Sequence, residues 1–331
     1  MKRTALACAA ALVTACAGPL SDLVGRSGPP ELELGRAERL MVMAPHPDDE
    51  VICCAGLMRR VIAGGGRVDI VYFTQGDGYP EGVALELSPA KLEPALFIAY
   101  GEWRRRESLA VLTLLRLSEQ NAHFLGFPDG GLREIWERHF SQLRPYESRT
   151  TATAHVPYRH SVEPGAPYSG IELQGLVRGL ILDLKPTLIA LPDPRDQHGD
   201  HSATGLFALE AFHDASEAAA DAGIPRARVL TYLVHWPGWP GLSAEPPPPL
   251  APPADITPAP IEWVALPLSE AEAADKLHVL HVYKTQVDVM APFLDSFYRS
   301  NELFGTFTDD PPPQGLALSP LAYRKPRPPA P

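Results

Sequence analysis

Cysteine is scarce in this 331-residue chain, which contains only four. Cys8 and Cys16 lie in an apolar N-terminal segment, and Cys53 and Cys54 are neighbours in the sequence. Because the Cα atoms of a disulfide usually lie about 4.4–6.8 Å apart, a bond between neighbours is strained. We therefore expect a mature protein without disulfides, in which Cys53 and Cys54 are core thiols and the hydrophobic core stabilises the fold.

Positive charge is also in short supply. The chain has 29 Lys and Arg against 40 Asp and Glu, and its net charge at pH 7 is −11. Proteins that bind the phosphate backbone are usually basic, so no nucleic-acid partner is expected. A Gly-x-Gly-x-x-Gly motif is absent after the first strand-like run, which gives no indication of a dinucleotide site.

Long hydrophobic runs are missing as well, and the one apolar segment near the N-terminus is too short to be a stable transmembrane helix. A basic start precedes the apolar or small residues 4–15, and these are followed by Cys16. This pattern predicts that residues 1–17 are a signal peptide and that the protein is exported. Residues 13–16 resemble a bacterial lipobox, which predicts lipidation of Cys16 and a periplasmic or surface-facing envelope lipoprotein. Cleavage after Ala17, giving a secreted protein, is the alternative. Contact with a membrane is expected only through the lipid anchor.

Strand-like and helix-like segments alternate along most of the chain. This alternation predicts an α/β fold of the Rossmann-like, doubly wound type, with a mostly parallel sheet and helices on both faces. We expect a single catalytic domain. The predicted strands are 39–44, 68–74, 122–127, 187–191 and 228–235.

The domain is predicted to span 37–301, after a tether at 18–36. Two stretches interrupt it: an excursion at 140–170 that carries several tyrosines, and an exposed proline-rich insert at 245–260. Residues 302–331 are predicted to form a disordered proline-rich tail.

Two polar clusters follow predicted strands at the points where those strands end. Residues 45–50 read Pro-His-Pro-Asp-Asp-Glu, and residues 196–201 read Asp-Gln-His-Gly-Asp-His. Ligands of an open parallel sheet gather outside the carboxyl ends of its strands, so we expect both clusters on the same rim. A lone His-x-x-His is more often an ordinary polar pair, and paired carboxylates at a helix start usually cap it. The joint occurrence on one rim favours a functional site.

The spacing within the clusters is suited to a hydrolytic metal centre. His46 and Asp49 are three residues apart, as are His198 and His201. A His-Asp-His set leaves an open coordination position, as catalytic zinc sites do. The ion would lower the pKa of a water molecule and polarise a substrate carbonyl.

The remaining polar residues of the clusters have predicted supporting roles. Asp48 is suited to take a proton from the attacking water as general base. His198 could stabilise an oxyanion or give a proton to the leaving amine. Asp200 and Asp196 could orient a histidine from behind.

These motifs resemble the PIG-L (LmbE-like) family of zinc-dependent de-N-acetylases. The resemblance extends in order over about residues 38 to 290, and the two rim motifs are its specific part. The supporting motifs are Arg104-x-x-Glu107, Leu125-Gly126-x-Pro128-Asp129-Gly130-Gly131 and Lys276-x-x-x-Leu280-x-x-Tyr283-x-x-Gln286.

Carried over to this sequence, the resemblance implies residue roles. His46, Asp49 and His201 would be the zinc ligands, with Asp48 as general base and His198 as its electrophilic or acid partner. Arg104 and Asp129 would bind substrate. Zinc is the expected metal, although such a set could also hold Fe²⁺ or another divalent ion.

The expected function is removal of acetyl from an N-acetylated amino sugar, as a small molecule, glycan or glycolipid. Hydrolysis of another amide-linked conjugate is the alternative within enzymes, and a non-catalytic surface glycan-binding protein is the alternative outside them. Trp236, Trp239 and the tyrosines Tyr146, Tyr158 and Tyr168 are candidates for sugar-stacking surfaces.

Overall fold

The computed structural model describes residues 28–221, 226–256 and 259–308. The predicted signal peptide with Cys16, the start of the predicted tether and residues 309–331 of the predicted tail lie outside these ranges.

Seven strands form one mixed sheet in the order β3-β2-β1-β4-β5-β7-β6. The first five strands in this order are parallel, and β7 runs antiparallel to both β5 and β6. The predicted Rossmann-like, mostly parallel fold is confirmed. The strands are β1 (Arg39–Ala44), β2 (Arg67–Thr74), β3 (Ala122–Phe127), β4 (Leu188–Pro192), β5 (Arg228–Tyr232), β6 (Ile261–Pro267) and β7 (Asn301–Phe307).

Eight α-helices surround the sheet within the described ranges. They are α1 (Asp49–Ala63), α2 (Pro80–Leu87), α3 (Pro94–Leu114), α4 (Leu132–Arg138), α5 (Gly170–Leu184), α6 (Gly199–Asp221), α7 (Glu270–Leu280) and α8 (Lys284–Asp295). Among the described helices, none combines the length and the hydropathy that crossing a bilayer requires.

The sheet separates two hydrophobic cores. Successive side chains of a strand point to opposite faces, so β1 contributes Leu40 and Val42 to one core and Met41 and Met43 to the other. Helices α1 and α7 contribute to the first core, whereas α4, α5 and α6 contribute to the second. A sheet covered on both faces explains why the strands read as continuous apolar runs in the sequence.

The domain boundaries differ from the prediction at both ends. Strand β7 occupies most of 302–308, which was predicted to be part of the disordered tail. Residues 30–32 belong to the predicted tether, yet the Leu32 amide donates to the Ala265 carbonyl at 2.8 Å and extends the sheet beyond β6. Backbone pairing with β6 orders both segments, although the tether is polar and the predicted tail as a whole is proline-rich.

The two adjacent cysteines are joined by a disulfide, so their assignment as free core thiols is wrong. Both lie in α1 and are buried. The Cα separation of 3.7 Å falls below the usual range for disulfides, and that range was the basis of the prediction. It describes a preference and does not prohibit a bond between neighbours.

The excursion at 140–170 and the proline-rich insert pack on the domain more closely than predicted. Tyr146, Tyr158 and Tyr168 are all buried, which removes them as exposed sugar-stacking surfaces. Within the insert, Leu250 is buried and exchanges two hydrogen bonds with Asn301 at the start of β7.

Candidate metal centre

Both polar clusters lie at the same rim of the sheet, as predicted. Strand β1 pairs with β4 in parallel, with Val42 opposite Ala190, so the two carboxyl ends are adjacent. The first cluster follows β1 and enters α1, and the second follows β4 and enters α6. The topology therefore brings together side chains that are about 150 residues apart in the sequence.

A carboxylate oxygen of Asp49 lies between two imidazoles. Its Oδ2 atom is 3.2 Å from Nδ1 of His46 and 3.3 Å from Nε2 of His201. Ligand atoms about 2.0–2.2 Å from a tetrahedral ion are separated by similar distances. The three predicted ligands converge on one point of the rim.

His201 provides the test of whether these residues fit a metal. It is fully buried, yet neither of its ring nitrogens makes a hydrogen bond of acceptable geometry within the described chain. A buried imidazole whose nearest carboxylates are too poorly aligned for hydrogen bonds is costly, and a coordinated ion would satisfy Nε2. The residues therefore fit a divalent cation.

The electrostatics of the rim also favour a cation. Burial alone would lower the pKa of His201, but Asp49 and Asp196 raise it to about 9. Burial would raise the pKa of Asp49, and the facing His201 holds it well below its usual range. Likewise, the carboxylates around His46, Asp129 first among them, raise its pKa well above the ordinary value despite burial. The carboxylates create a field that would stabilise a divalent ion among these groups.

Asp48 points to a different partner from its neighbour Asp49. Its backbone has a φ of 119°, a strained conformation for a residue with a side chain, and such strain is concentrated at functional sites. Its Oδ2 atom is 3.3 Å from the Arg104 guanidinium, and burial raises the pKa of Asp48 to about 8 although Arg104 opposes the rise. A carboxylate beside the candidate ligands, with a raised pKa, is suited to accept a proton near neutral pH.

His198 packs beside the candidate ligands. Its ring centroid is 5.0 Å from that of His46 and 5.1 Å from that of His201. Burial lowers the pKa of His198, with His46 adding to the effect, so the imidazole is neutral at pH 7. The nitrogens of His46, His198 and His201 lie within 4.8 Å of one another, and a second group within that distance is His46, Asp129 and Asp200.

A protein-family model described as "PIG-L: GlcNAc-PI de-N-acetylase" matches residues 41–212, just over half of the chain. The chain belongs to the PIG-L family of deacetylases. Its residues could hold the metal on which deacetylases of this family depend.

Solved structures resemble the PIG-L chain in fold. One is the zinc-inhibited form of teicoplanin deacetylase Orf2, at 19% identity and a TM-score of 0.50, with 82% of this chain and 99% of that chain covered. Another is N,N'-diacetylchitobiose deacetylase from Pyrococcus horikoshii, at 17% identity and a TM-score of 0.49, with 86% and 88% covered. The sequence has no significant match among curated proteins.

The residues predicted to support the ligands lie behind them. Oδ2 of Asp196 is 3.5 Å from Nδ1 of His201, and Asp196 also accepts the backbone amides of His198, Val234 and His235. It therefore ties the cluster after β4 to the segment after β5. The predicted role of Asp196, to orient a histidine from behind, stays a prediction.

Asp200 supports the other histidine. Its Oδ2 atom is 3.2 Å from Nε2 of His46, and its carboxylate accepts the backbone amides of Gly130 and Leu132 at 2.6 and 3.0 Å. Gly130 has a φ of 76°, which favours glycine at this position of the loop. The Asp-Gly-Gly segment of the PIG-L motif thus holds an orienting carboxylate through its backbone.

Arg104 and Asp129, which the resemblance assigned to substrate binding, also make contacts within the protein. Arg104 is buried and donates to the carbonyls of Pro47 and Gly76. Asp129 lies 3.2 Å from Nε2 of His46 and accepts the Gly78 amide. Both still line the pocket in front of the cluster.

A pocket of about 340 Å³ opens over the cluster. Several of the residues that line it were not predicted from the sequence. His235 is the main omission: its ring is 5.0 Å from that of His198 and 4.7 Å from that of His201. It follows β5, which pairs in parallel with β4, so a polar residue at the end of a third rim strand was the available signal. The other lining residues missed are Ile52, Gly78, Tyr79, Met290 and Phe293.

Proposed function

We propose that this protein is a metal-dependent hydrolase that removes acetyl from an N-acetylated amino sugar of a glycan or glycolipid. The observation that carries the proposal is the separation of roles between two adjacent carboxylates. Asp49 faces His46 and His201, whereas Asp48 is held apart against Arg104. The family description supports an acetylated amino sugar as the substrate class.

His46, Asp49 and His201 would hold the metal, with Zn²⁺ as the first choice and Fe²⁺ as the main rival. When bound, the ion would polarise the amide carbonyl and lower the pKa of the attacking water. Asp48 takes the proton from that water as general base. Its strained backbone and the Arg104 contact fix the carboxylate in place for the transfer.

The neutral imidazole of His198 has a second role in the reaction, as a hydrogen-bond donor. As the amide carbon becomes tetrahedral, negative charge develops on the carbonyl oxygen, and a hydrogen bond from His198 would stabilise it. The leaving amine needs a proton before it departs, and Asp48, which has taken a proton from the attacking water, can deliver it. Acetate and the free amino sugar are the products.

The decisive experiment measures acetate release from a panel of N-acetylglucosamine-containing glycans and glycolipids. The protein from residue 18 onward is stripped of metal and reloaded with Zn²⁺ or Fe²⁺ in a titration. Asp48→Asn should retain the metal and lose turnover, whereas His201→Ala should lose both. His155→Ala, which changes an exposed histidine outside the cluster, is the control.

Each outcome separates the alternatives. Metal-dependent acetate that is absent from Asp48→Asn supports the proposal. Stoichiometric metal with no acetate, but with release of another acid from other amide conjugates, would identify a different amidase. Glycan binding without hydrolysis or metal dependence would identify a binding protein.

We also propose that the enzyme works in the cell envelope, anchored through a lipidated Cys16. The basis is the leader sequence alone. Metabolic labelling with a fatty acid and membrane fractionation of wild type and Cys16→Ala would test this. Unlabelled wild-type protein in the soluble secreted fraction would contradict it and favour cleavage after Ala17.

A further inference from the structure

A second cavity, of about 370 Å³, lies next to the catalytic pocket and has no part in the proposed hydrolysis. Its size is at the low end of the roughly 300–1,000 Å³ that ligand pockets usually span. Two tryptophans, five prolines and one carboxylate contribute to its walls. We call it the tryptophan cavity, and its defining residues are Trp236, Trp239, Pro252, Pro253 and Asp255.

A tight turn places the two tryptophans side by side. Residues 236–239 read Trp-Pro-Gly-Trp, and the Trp239 amide donates to the Trp236 carbonyl at 3.0 Å. Proline at the second position and Gly238 with a φ of 70° at the third are typical of a type II turn. Trp236 and Trp239 form an antiparallel bridge, and directly opposite residues of such a pair extend their side chains to the same side.

The proline-rich insert fixes both indoles by their N–H groups. Nε1 of Trp236 donates to Oδ1 of Asp255, and Nε1 of Trp239 donates to the Ala251 carbonyl, both at 2.8 Å. Because each indole N–H already has a partner, a ligand would meet the ring faces. Asp255 is exposed, and only its Oδ1 atom is used in these contacts.

The far side of the turn is also held in place. The buried Arg299 donates to the carbonyls of Pro240, Gly241 and Leu242 at 3.0, 2.6 and 3.1 Å. These bonds secure the segment between the turn and the insert, so the cavity is formed before any ligand arrives. A preformed cavity loses little conformational entropy on binding.

A chain of four aromatic rings connects the tryptophan cavity to the catalytic pocket. His235 directly precedes Trp236 and lines the catalytic pocket. Its ring stacks on that of Phe293, with a centroid distance of 5.1 Å and an interplanar angle of 8°. Phe293 contacts Phe297 at 5.5 Å, and Phe297 contacts Trp239 at 5.9 Å. Because His235 and Trp236 are consecutive, the two cavities are formed by neighbouring parts of one segment, and only a substrate longer than one sugar unit could occupy both.

We propose that the tryptophan cavity is a subsite for a second sugar unit, so that the preferred substrate is an oligosaccharide. This inference rests on the proposed function. The C–H face of a pyranose ring is apolar and matches an indole face, while Asp255 can accept hydrogen bonds from sugar hydroxyls. His235 lines the pocket for the acetylated unit and the next residue, Trp236, lines the tryptophan cavity, which favours a sugar linked to that unit over a proline-rich peptide.

The test compares the β-1,4-linked trimer of N-acetylglucosamine with the monosaccharide by isothermal titration calorimetry. The trimer should bind the wild type at least tenfold more tightly, about 1.4 kcal/mol. Trp239→Ala and Trp236→Ala should abolish most of this preference and leave monosaccharide binding unchanged. Trp103→Ala, which removes a half-buried tryptophan of α3 outside both cavities, should keep the preference. Circular dichroism and the Tm confirm that each variant is folded.

Acetate release from the same ligands separates this inference from the proposed function. Trimer binding that depends on Trp239, without acetate release, would leave the subsite standing and overturn the deacetylase. Equal acetate release from monomer and trimer in every variant would support the deacetylase and overturn the subsite. An undetectable or Trp-independent trimer preference in folded protein overturns the subsite. The subsite would also be overturned if a synthetic peptide of residues 309–331 bound through Trp239 and the trimer did not displace it.

Discussion

Replacing Arg104 with glutamine should change how the reaction depends on pH more than how substrate binds. The guanidinium lies 3.3 Å from the Asp48 carboxylate, both groups are buried, and Arg104 is the strongest influence that lowers the pKa of Asp48. An opposite charge at this distance lowers the pKa of a carboxyl group by about 1–3. Arg104→Gln should therefore raise the pKa of Asp48 by about that amount.

The direction of the effect follows from the proposed role of Asp48 as general base. Only the deprotonated carboxylate accepts a proton, so a higher pKa moves the acidic limb of kcat/KM to higher pH. On that limb, each tenfold increase in the proton affinity of Asp48 lowers the rate of the variant about tenfold relative to the wild type. A bound divalent ion would lower the pKa of Asp48 in both proteins, so the difference between them is the quantity to measure.

The assay is kcat/KM for acetate release from pH 5 to 10, with metal content measured at each end. Arg106→Gln, on the exposed side of the same helix, is the matched control and should have the wild-type profile. An unmoved acidic limb together with a raised KM at all pH values would refute the reasoning. That result would return Arg104 to the substrate-binding role implied by the family resemblance.

Three further predictions concern stability. Burial raises the pKa of Asp77 to about 7 from its ordinary value of 3.8, so the folded state binds the proton more tightly and the free energy of unfolding falls as pH rises from about 4 to 7. Between pH 5 and pH 8, the free energy of unfolding of Asp77→Asn, measured in urea, should increase by about 2–3 kcal/mol relative to that of the wild type, and parallel pH profiles would contradict this. Lys276→Met should cost about 3–5 kcal/mol, because it leaves the buried Glu302 carboxylate without its ammonium partner at 3.0 Å, and an unchanged urea midpoint would disprove the assignment. Gly205→Ala should lower the Tm, because the added Cβ would lie 2.3 Å from the Pro192 carbonyl oxygen, whereas Gly175→Ala, with open space around it, should not.

The sequence predicted the rim and its residues well because the local patterns agreed with the topology. Apolar strands 40–44 and 187–191 each led into a polar cluster, and parallel pairing of β1 with β4 was enough to bring the clusters together. The approach of His46 and His201 to Asp49 required nothing beyond a tight turn before α1 and adjacent strand ends. Its assignment as a metal ligand stays a prediction.

What the sequence could not predict depends on long-range contacts. The tyrosines of the 140–170 excursion looked available, but Tyr158 is buried with its hydroxyl on Asp77, whose other oxygen accepts the Asp129 amide. Strands β6 and β7, of seven residues each, were missed because each is stabilised by an antiparallel partner that is distant in the sequence. Arg104 was identified by its motif, but its contact with Asp48 depends on the packing of α3 against the loop after β1, which no local pattern predicts.

The position of β7 has a consequence for how the chain acquires its structure during synthesis. This strand is the last along the described chain, yet it lies inside the sheet, between β5 and β6. Until residues 301–307 are available to pair, β6 lacks its antiparallel neighbour. Strand β5, which pairs with β4 on its other side, then remains an open edge of the sheet. Unpaired edges promote aggregation and non-native pairing. The chain therefore has a late, non-local closing step, and a nascent chain stopped before residue 301 should remain dependent on chaperones and accessible to proteases.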